Sequence, residues 1–259
     1  MGDALHRLGE RRTSRSREDP LEAWRCCVAW PRTLVNKWNG REFAARHGCR
    51  LPELYWRGGE LSSPPLAALP DRFVIRPVRG MDKRGVLVVS HGTELLNDEP
   101  LSSRELRSRL SPVRRLLHPV PLLAEELIES EEGGLPLEVK FHTFGDTVGA
   151  IQVVERTGAH SGTFRFYDPA WQPIADPVNT YHPQGKLRES PPPGLETVLA
   201  QSAALGKEIG TYVRIDFFAG ARGWFFNEFC TVPLLGRRFT PYGDALLGGL
   251  WEETVPEAA

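Results

Sequence analysis

The chain has few cysteines, almost no net charge and no long apolar run, and each shortage excludes a class of function. Its four cysteines (Cys26, Cys27, Cys49 and Cys230) form neither a Cys-x-x-Cys pair nor the spacing of a disulfide framework. A reducing, cytoplasmic setting is therefore the expectation. The 32 lysines and arginines stand against 33 aspartates and glutamates, a formal net charge of -1. No global field draws such a chain to nucleic acid or to an anionic membrane. No run approaches the roughly 18 apolar residues of a membrane span, and the opening MGDALHRLGERR lacks the apolar stretch of a secretory signal. The HExxH zinc motif, the GxSxG elbow and the GxxxxGK[ST] phosphate loop are all missing. The seven histidines read as solvated or core residues. A hydrophobic content of 41% in 259 residues is enough for one compact unit or two closely packed lobes.

Five arginines, Arg7, Arg11, Arg12, Arg15 and Arg17, crowd the start of the chain. They suit either an arm for phosphates or nucleic acid, or a frayed and solvated tail; the neutral remainder favours the tail. Further on, residues 41–47 read as a short helix stopped by Gly48, and 51–56 as extended. Residues 73–75 form a strand ending at Arg76-Pro77, with a glycine-bounded loop to Gly85 and a return strand over 86–89. The spacing predicts a helix over 102–110, a buried strand over 122–128, and strands over 138–144 and 148–155 joined at Gly145-Asp146. A helix over 196–208 follows, then a hairpin of 212–218 and 224–229 around Gly220 to Gly223. This mixture of strands and helices favours an α+β or α/β chain.

The final hairpin carries the most chemistry. Side chains alternate faces along a strand, so Val213, Ile215 and Phe217 share one face and Arg214 and Asp216 the other. On the partner strand, Phe225, Asn227 and Phe229 separate from Trp224, Phe226, Glu228 and Cys230. A turn centred on Arg222 places Asp216 opposite Glu228. Like charges so placed repel, and a divalent cation between them reverses the sign, their hard oxygens suiting Mg²⁺. An amphipathic hairpin with a wet polar face also explains the alternation, but not the large aromatics that flank it. The segment FVIRPVRGMDKRGVLVV (73–89) adds Arg76, Arg79, Lys83 and Arg84 around Gly80 and Gly85. These are donors and a permissive backbone for covering phosphates, or else a solvated turn.

Four segments in order resemble the ATP-grasp superfamily and the D-alanine–D-alanine ligases within it. Asn36-Lys37, leading into GREFAARHGCRLPEL, resembles the opening of the family's nucleotide region. FVIRPVRGMDKRGV resembles its strand and phosphate loop. AEELI (124–128) and LEVKFHTFGD (137–146) resemble its adenine hinge and ribose strand, and VRIDFF with NEFCTVPLLG resembles its metal hairpin. The short N-terminal part, Lys140 and the ending FTPYGDALLG are most similar to the TupA-like group associated with teichuronopeptide biosynthesis.

The resemblance implies an ATP-grasp fold of α+β class: a short N-terminal piece and two α+β lobes clasping ATP. Its expected divisions are a basic tail (1–20), an N-terminal subdomain (21–70), a lobe with the phosphate loop (71–128) and a lobe with the metal hairpin (129–255). ATP and Mg²⁺ are the implied cofactors. Lys37 and Arg76 would hold phosphates, with Lys140 as a further candidate. Glu125, Glu126, Leu127 and Ile128 would receive adenine, and Glu138 the ribose. Asp216 and Glu228 would bind two Mg²⁺ ions, Arg214 with Arg76 would serve catalysis, and Arg156 would reach the acceptor. Arg76 departs from the family's lysine, which keeps the charge but not the geometry. Cys230 departs from its asparagine, and a thiol is a poor ligand for Mg²⁺. The stretch before Lys37 is too short for the N-terminal domain of the amino-acid ligases, so substrate identity does not carry over. The implied activity is ligation of a small carboxylate to an amine through an acyl phosphate, releasing ADP and phosphate. It belongs to natural-product or cell-envelope biosynthesis, with no nucleic-acid or membrane partner and with a homodimer allowed for. An ATP-grasp kinase with a stable phosphorylated product and a non-catalytic nucleotide-binding module are the alternatives.

Overall fold

The first described helix is the short α1 (Leu21–Trp24), and a 3₁₀ turn (Trp30–Val35) follows it. These belong to a computed structural model that describes residues 14–58, 64–80, 83–114, 120–181 and 183–254. Asn36 then caps α2 (Lys37–Arg46), its side chain accepting from the backbone N–H groups of Trp38 and Asn39, which satisfies donors the first turn leaves free. Five strands follow: β1 (Leu54–Arg57), β2 (Arg72–Pro77), β3 (Leu87–Ser90), β4 (Thr93–Glu94) and β5 (Glu99–Pro100). Ser102 and Glu105 form a reciprocal capping box ahead of α3 (Ser103–Arg114), and β6 (Leu122–Glu125) comes next. The second half runs β7 (Leu137–Phe144), β8 (Thr147–Arg156), β9 (Gly162–Tyr167), α4 (Leu195–Ile209), β10 (Tyr212–Gly220), β11 (Gly223–Cys230) and α5 (Pro241–Thr254). None of the described helices is long and apolar enough to cross a membrane.

These elements make two α+β units. The smaller comprises Pro52–Leu135 with Thr157–Ser161, and the larger the remaining chain. The smaller unit's antiparallel sheet has the order β1-β6-β2-β3-β4-β5. Leu106 and Leu110, one helical turn apart on α3, pack with Phe73, Ile75, Leu87 and Leu122. Glu94 is wholly buried, and its carboxylate accepts from the backbone of Val88, Leu96 and Asn97. It ties the β3–β4 turn together, as a buried anion must be tied to persist.

The larger unit's sheet has the order β11-β10-β7-β8-β9, antiparallel throughout. One face carries Val139, Phe141, Ile151, Val153, Val213, Ile215 and Phe217, covered by α4 and by Trp24, Phe43 and Ala44. Helix α4 lies close because Gly206 has no side chain: a Cβ there would come 2.2 Å from Gly145 O. On the opposite face, Leu246 and Leu247 of α5 pack with Ala150, Val154, Phe164, Phe166 and Val178. The remainder of that face carries polar and charged residues, among them Glu138, Lys140, His142, Gln152 and Asp216.

Two local readings need correction. Strict alternation separates Phe226 from Phe229, yet both lie in the aromatic core. Gly220 pairs with Gly223 across a turn of only Ala221 and Arg222, and the register then slips by one between Phe217↔Phe226 and Asp216↔Glu228, leaving Asn227 as a bulge. An extra residue of this kind re-aims everything after it. It is the bulge, not a turn centred on Arg222, that sets Asp216 opposite Glu228. The other correction concerns the arginine-rich start. Arg7, Arg11 and Arg12 lie outside the described residues, but Arg15 and Arg17 are tied to α2, with the Arg17 side chain still 44% exposed. Arg15 N donates to Asn39 Oδ1 at 2.9 Å, Trp38 Nε1 donates to Arg15 O at 2.9 Å, and Arg17 pairs with Glu42 at 2.7 Å.

Candidate active site

Alternation along β7 sends Val139 and Phe141 into the core and turns Glu138, Lys140 and His142 to the other face. The neighbouring β10 does the same with Arg214 and Asp216, and Asp216 stands in register with Lys140 on one side and Glu228 on the other. The outcome is a continuous ladder of charge. Arg156 Nε donates to Glu138 Oε1 at 2.6 Å, and Glu138 Oε2 lies 3.0 Å from Lys140 Nζ. Lys140 Nζ donates to Asp216 Oδ2 at 2.6 Å. Arg214 grips Asp216 with two nitrogens, Nε to Oδ1 at 2.7 Å and Nη2 to Oδ2 at 2.8 Å.

Lys37 supplies the ladder's other edge, its Nζ lying 3.1 Å from Glu228 Oε2. Its placement follows from α2. Asn36 fixes the helix start, and Gly40 permits close approach to the sheet, since a Cβ there would meet Leu34 O at 2.7 Å and Phe229 at 3.3 Å. The lysine at the first helical position is therefore delivered against β11 by the packing of its own helix.

Burial sets the electrostatics. Asp216 is fully buried, and Glu138 and Lys140 are each 7% exposed. Charges so placed persist only when paired. Burial alone would discharge Lys140, but Asp216 and then Glu138 outweigh it and hold the ammonium above its ordinary value. Burial works against Arg214 as well, and Asp216 again prevails. Burial raises the Cys230 thiol, which keeps it protonated and unsuited to a cation. His142 is pushed down to about 3, by burial first and by Arg214 second, so its imidazole is neutral. Its Nδ1 meets the Tyr212 hydroxyl at 2.9 Å, and its Nε2 has no hydrogen-bond partner among the described residues.

The smaller unit holds the other sequence-derived candidates. Arg76 on β2 and Glu125 on β6 are both buried and meet at 2.6 Å. Glu126 exchanges hydrogen bonds with Glu53, its Oε2 accepting from Glu53 N and its N–H donating to Glu53 O. Leu127 and Ile128 are buried on the way out of β6, Leu127 beside Val88 and Leu96. Thus Lys37, Glu138, Lys140, Arg156, Arg214, Asp216 and Glu228 come together in one unit, and Arg76 and Glu125 in the other. Reading the sequence overlooked His142 and Gln152, which share the charged face; Gln152 is in register with Lys140. The signal for His142 was present, because it continues the every-second-residue series Glu138, Lys140.

A divalent cation can be tested against these side chains. Among the described residues no three His, Cys, Asp or Glu side chains form a ready-made cage. Asp216 and Glu228 nevertheless face each other with hard oxygens of the kind Mg²⁺ prefers. The Glu228 side chain keeps 29% of its surface exposed. Asp216 accepts three hydrogen bonds where a carboxylate offers about four lone-pair sites. The donor set fits such an ion if the lysines yield their contacts.

Comparison with known proteins bears on the fold. Similar solved structures include the D-alanine–D-alanine ligase from Bacillus anthracis complexed with ATP, at 16% identity and a TM-score of 0.56 over 87% of this chain and 67% of that one. VanG D-Ala:D-Ser ligase from Enterococcus faecalis aligns at 16% identity and a TM-score of 0.55, over 85% of this chain and 63% of that one. D-cycloserine synthetase DcsG aligns at 17% identity and 0.51, over 89% and 73%. The chain thus spans about two thirds of the length of the D-alanine–D-alanine ligase it resembles, and likenesses at these identities speak to the fold. No curated protein sequence matches significantly. The model of the TupA-like ATPgrasp family, however, matches residues 65–251, well over half of the 259. Two α+β units with antiparallel sheets accord with that match, and this chain belongs to the TupA-like ATPgrasp family.

Proposed function

We propose that the protein is an ATP-dependent ligase that joins a small carboxylate to an amine in the cytoplasm, in cell-envelope or natural-product biosynthesis. The observation that carries this reading is the charged face of the larger sheet. Among its seven ladder residues, the cations Lys37, Lys140, Arg156 and Arg214 outnumber the carboxylates Glu138, Asp216 and Glu228 by one. A buried excess of positive charge with two carboxylates facing one another suits an anionic polyphosphate and its cation.

In this reading the substrate carboxylate attacks the γ-phosphorus of ATP, forming an acyl phosphate and ADP, and the amine then displaces phosphate. Such phosphoryl transfer depends on positioning and charge neutralisation. Lys37, Lys140 and Arg76 hold phosphates, the 125–128 segment takes adenine, and Glu138 takes the ribose. Arg214, locked in orientation by its two bonds to Asp216, faces charge that develops in the transition state. Asp216 and Glu228 would hold Mg²⁺, which supplies neutralisation of phosphate charge when bound. Arg156 is assigned to the acceptor.

Incubating the protein with ATP, Mg²⁺, a panel of carboxylates and hydroxylamine tests the proposal. Release of ADP and phosphate together with a hydroxamate is the expected outcome, and Arg214→Ala should slow it at least ~10²-fold, the scale of losing a preorganised charge stabiliser. A stable phosphorylated product would point to a kinase instead, and AMP with pyrophosphate would exclude both.

A further inference from the structure

The facing pair Asp216 and Glu228 invites the expectation of a waiting metal site, but their contacts argue for a different resting state. Neither carboxylate is an uncompensated anion. Asp216 is held by Lys140 and Arg214, and Glu228 by Lys37. A dication entering alone would join a set of side chains that already carries an excess of one cation. In a poorly solvated site that addition is repelled. The same ion carried on a polyphosphate arrives within an anion, and the phosphate oxygens offer the lysines a new partner.

The two kinds of cation in the ladder differ in what they can surrender. Arg214 is a planar fork bound through two nitrogens to both oxygens of Asp216. Lys140 and Lys37 are point charges on flexible stems, each with one nitrogen to offer: Lys140 Nζ bridges Asp216 and Glu138, and Lys37 Nζ reaches Glu228. Arg214 stays, and the lysines are the exchangeable partners.

We propose that Lys140 and Lys37 are the resident counter-ions of Asp216 and Glu228, and that the divalent cation is admitted only together with a polyphosphate that draws these lysines away. The inference rests on the nucleotide-binding reading above and adds to it an order of binding. It predicts that the apo protein ignores free divalent cations.

Manganese, followed by electron paramagnetic resonance, is a direct probe that does not require turnover. Mn²⁺ titrated into the wild-type protein without nucleotide should leave the site empty through the millimolar range, whereas a non-hydrolysable ATP analogue should bring Mn²⁺ into a protein-bound signal. Lys37→Met removes one cation from beside Glu228 and should give nucleotide-independent Mn²⁺ binding at least ~10-fold tighter than wild type, the scale of removing one nearby like charge. Lys140→Met should act in the same direction on Asp216. If that variant fails to fold, Lys37→Met decides alone, because its partner Glu228 is partly exposed. Tight Mn²⁺ binding by wild type without nucleotide, alongside normal analogue binding, would overturn the ordering and leave the ligase reading standing; so would a folded Lys37→Met protein with no gain. Failure of the analogue to bind at all, with or without Mn²⁺, would remove the nucleotide reading and this inference with it.

Discussion

The two units bury charge in different ways. In the smaller, Arg76 and Glu125 sit on adjacent strands as a balanced pair, with side chains 9% and 2% exposed. In the larger, the ladder runs across β8, β7, β10 and β11 and ends on the helix that bears Lys37, with one cation more than carboxylates. It grades from the fully buried Asp216 to the partly exposed Glu228. A balanced buried pair acts chiefly to avoid an uncompensated charge. A graded ladder with an excess of cations can respond to a ligand. The comparison teaches that buried contacts of the same kind can leave one region electrically neutral and another with a net positive charge.

The sharpest way to break this contrast is within the ladder itself. Asp216→Asn and Glu228→Gln should both abolish turnover, but their stabilities should diverge. Asp216→Asn leaves Lys140 and Arg214 short of a buried partner and should cost about 3–5 kcal/mol, read from urea unfolding. Glu228→Gln should cost less, because the Glu228 carboxylate is partly solvated, although it also takes a partner from the buried Lys37. Equal losses would mean that the gradation has no energetic content.

The balanced pair predicts a different pattern. Arg76→Met and Glu125→Leu should each destabilise by about 3 kcal/mol, because each takes a buried partner from the other charge, while the double variant should recover a good part of that loss. Additive losses in a double-mutant cycle would show that the two residues act apart.

A smaller effect separates the units by pH. Folded His142 titrates at about 3, against about 6.5 in an unfolded chain. Between those values the unfolded chain takes up a proton that the folded one refuses, so stability falls as the pH drops from about 6.5 towards 3, by at most about 1.4 kcal/mol per unit. Above that window the contribution is constant. Urea unfolding at pH 7 and pH 4.5 should therefore show a shallower acid loss in His142→Gln than in wild type.

The smallest effect is expected at Cys230, in register with Arg214 on the charged edge. Cys230→Asn should keep the fold and nucleotide-dependent turnover within a few-fold, and should lower the Mg²⁺ concentration needed for half-maximal rate by supplying an oxygen ligand. An unchanged metal requirement would place residue 230 outside the ion's reach.

Much of this face was legible beforehand because strands impose a period of two. Glu138, Lys140 and His142 must share a side, as must Arg214 and Asp216, whatever the tertiary context. Helix α2 was legible in part: its body was read over 41–47, but its true start at Asn36 was not, because the cap is recognised by hydrogen bonds to Trp38 and Asn39 rather than by apolar spacing. The docked segment at Arg15 and Arg17 was not legible at all, since a polar arginine-rich stretch has the same composition whether it is solvated or bound to Asn39 and Glu42.

The sequence by itself determined which side chains share a strand face and where glycines allow turns, because these follow from backbone geometry over a few residues. It also determined the order of segments by which the family is recognised. Only the tertiary structure decided which charges meet: Lys140 with Asp216 across 76 residues, Arg76 with Glu125 across 49, and Lys37 with Glu228 from opposite ends of the chain. It also decided the bulge at Asn227, which recruits Phe226 and Phe229 together into the core and brings Glu228 level with Asp216. The reason is physical. Facing is a local property of the backbone, whereas pairing and register are settled by packing against the rest of the molecule, where two large aromatic rings gain more from burial than one regular ladder bond.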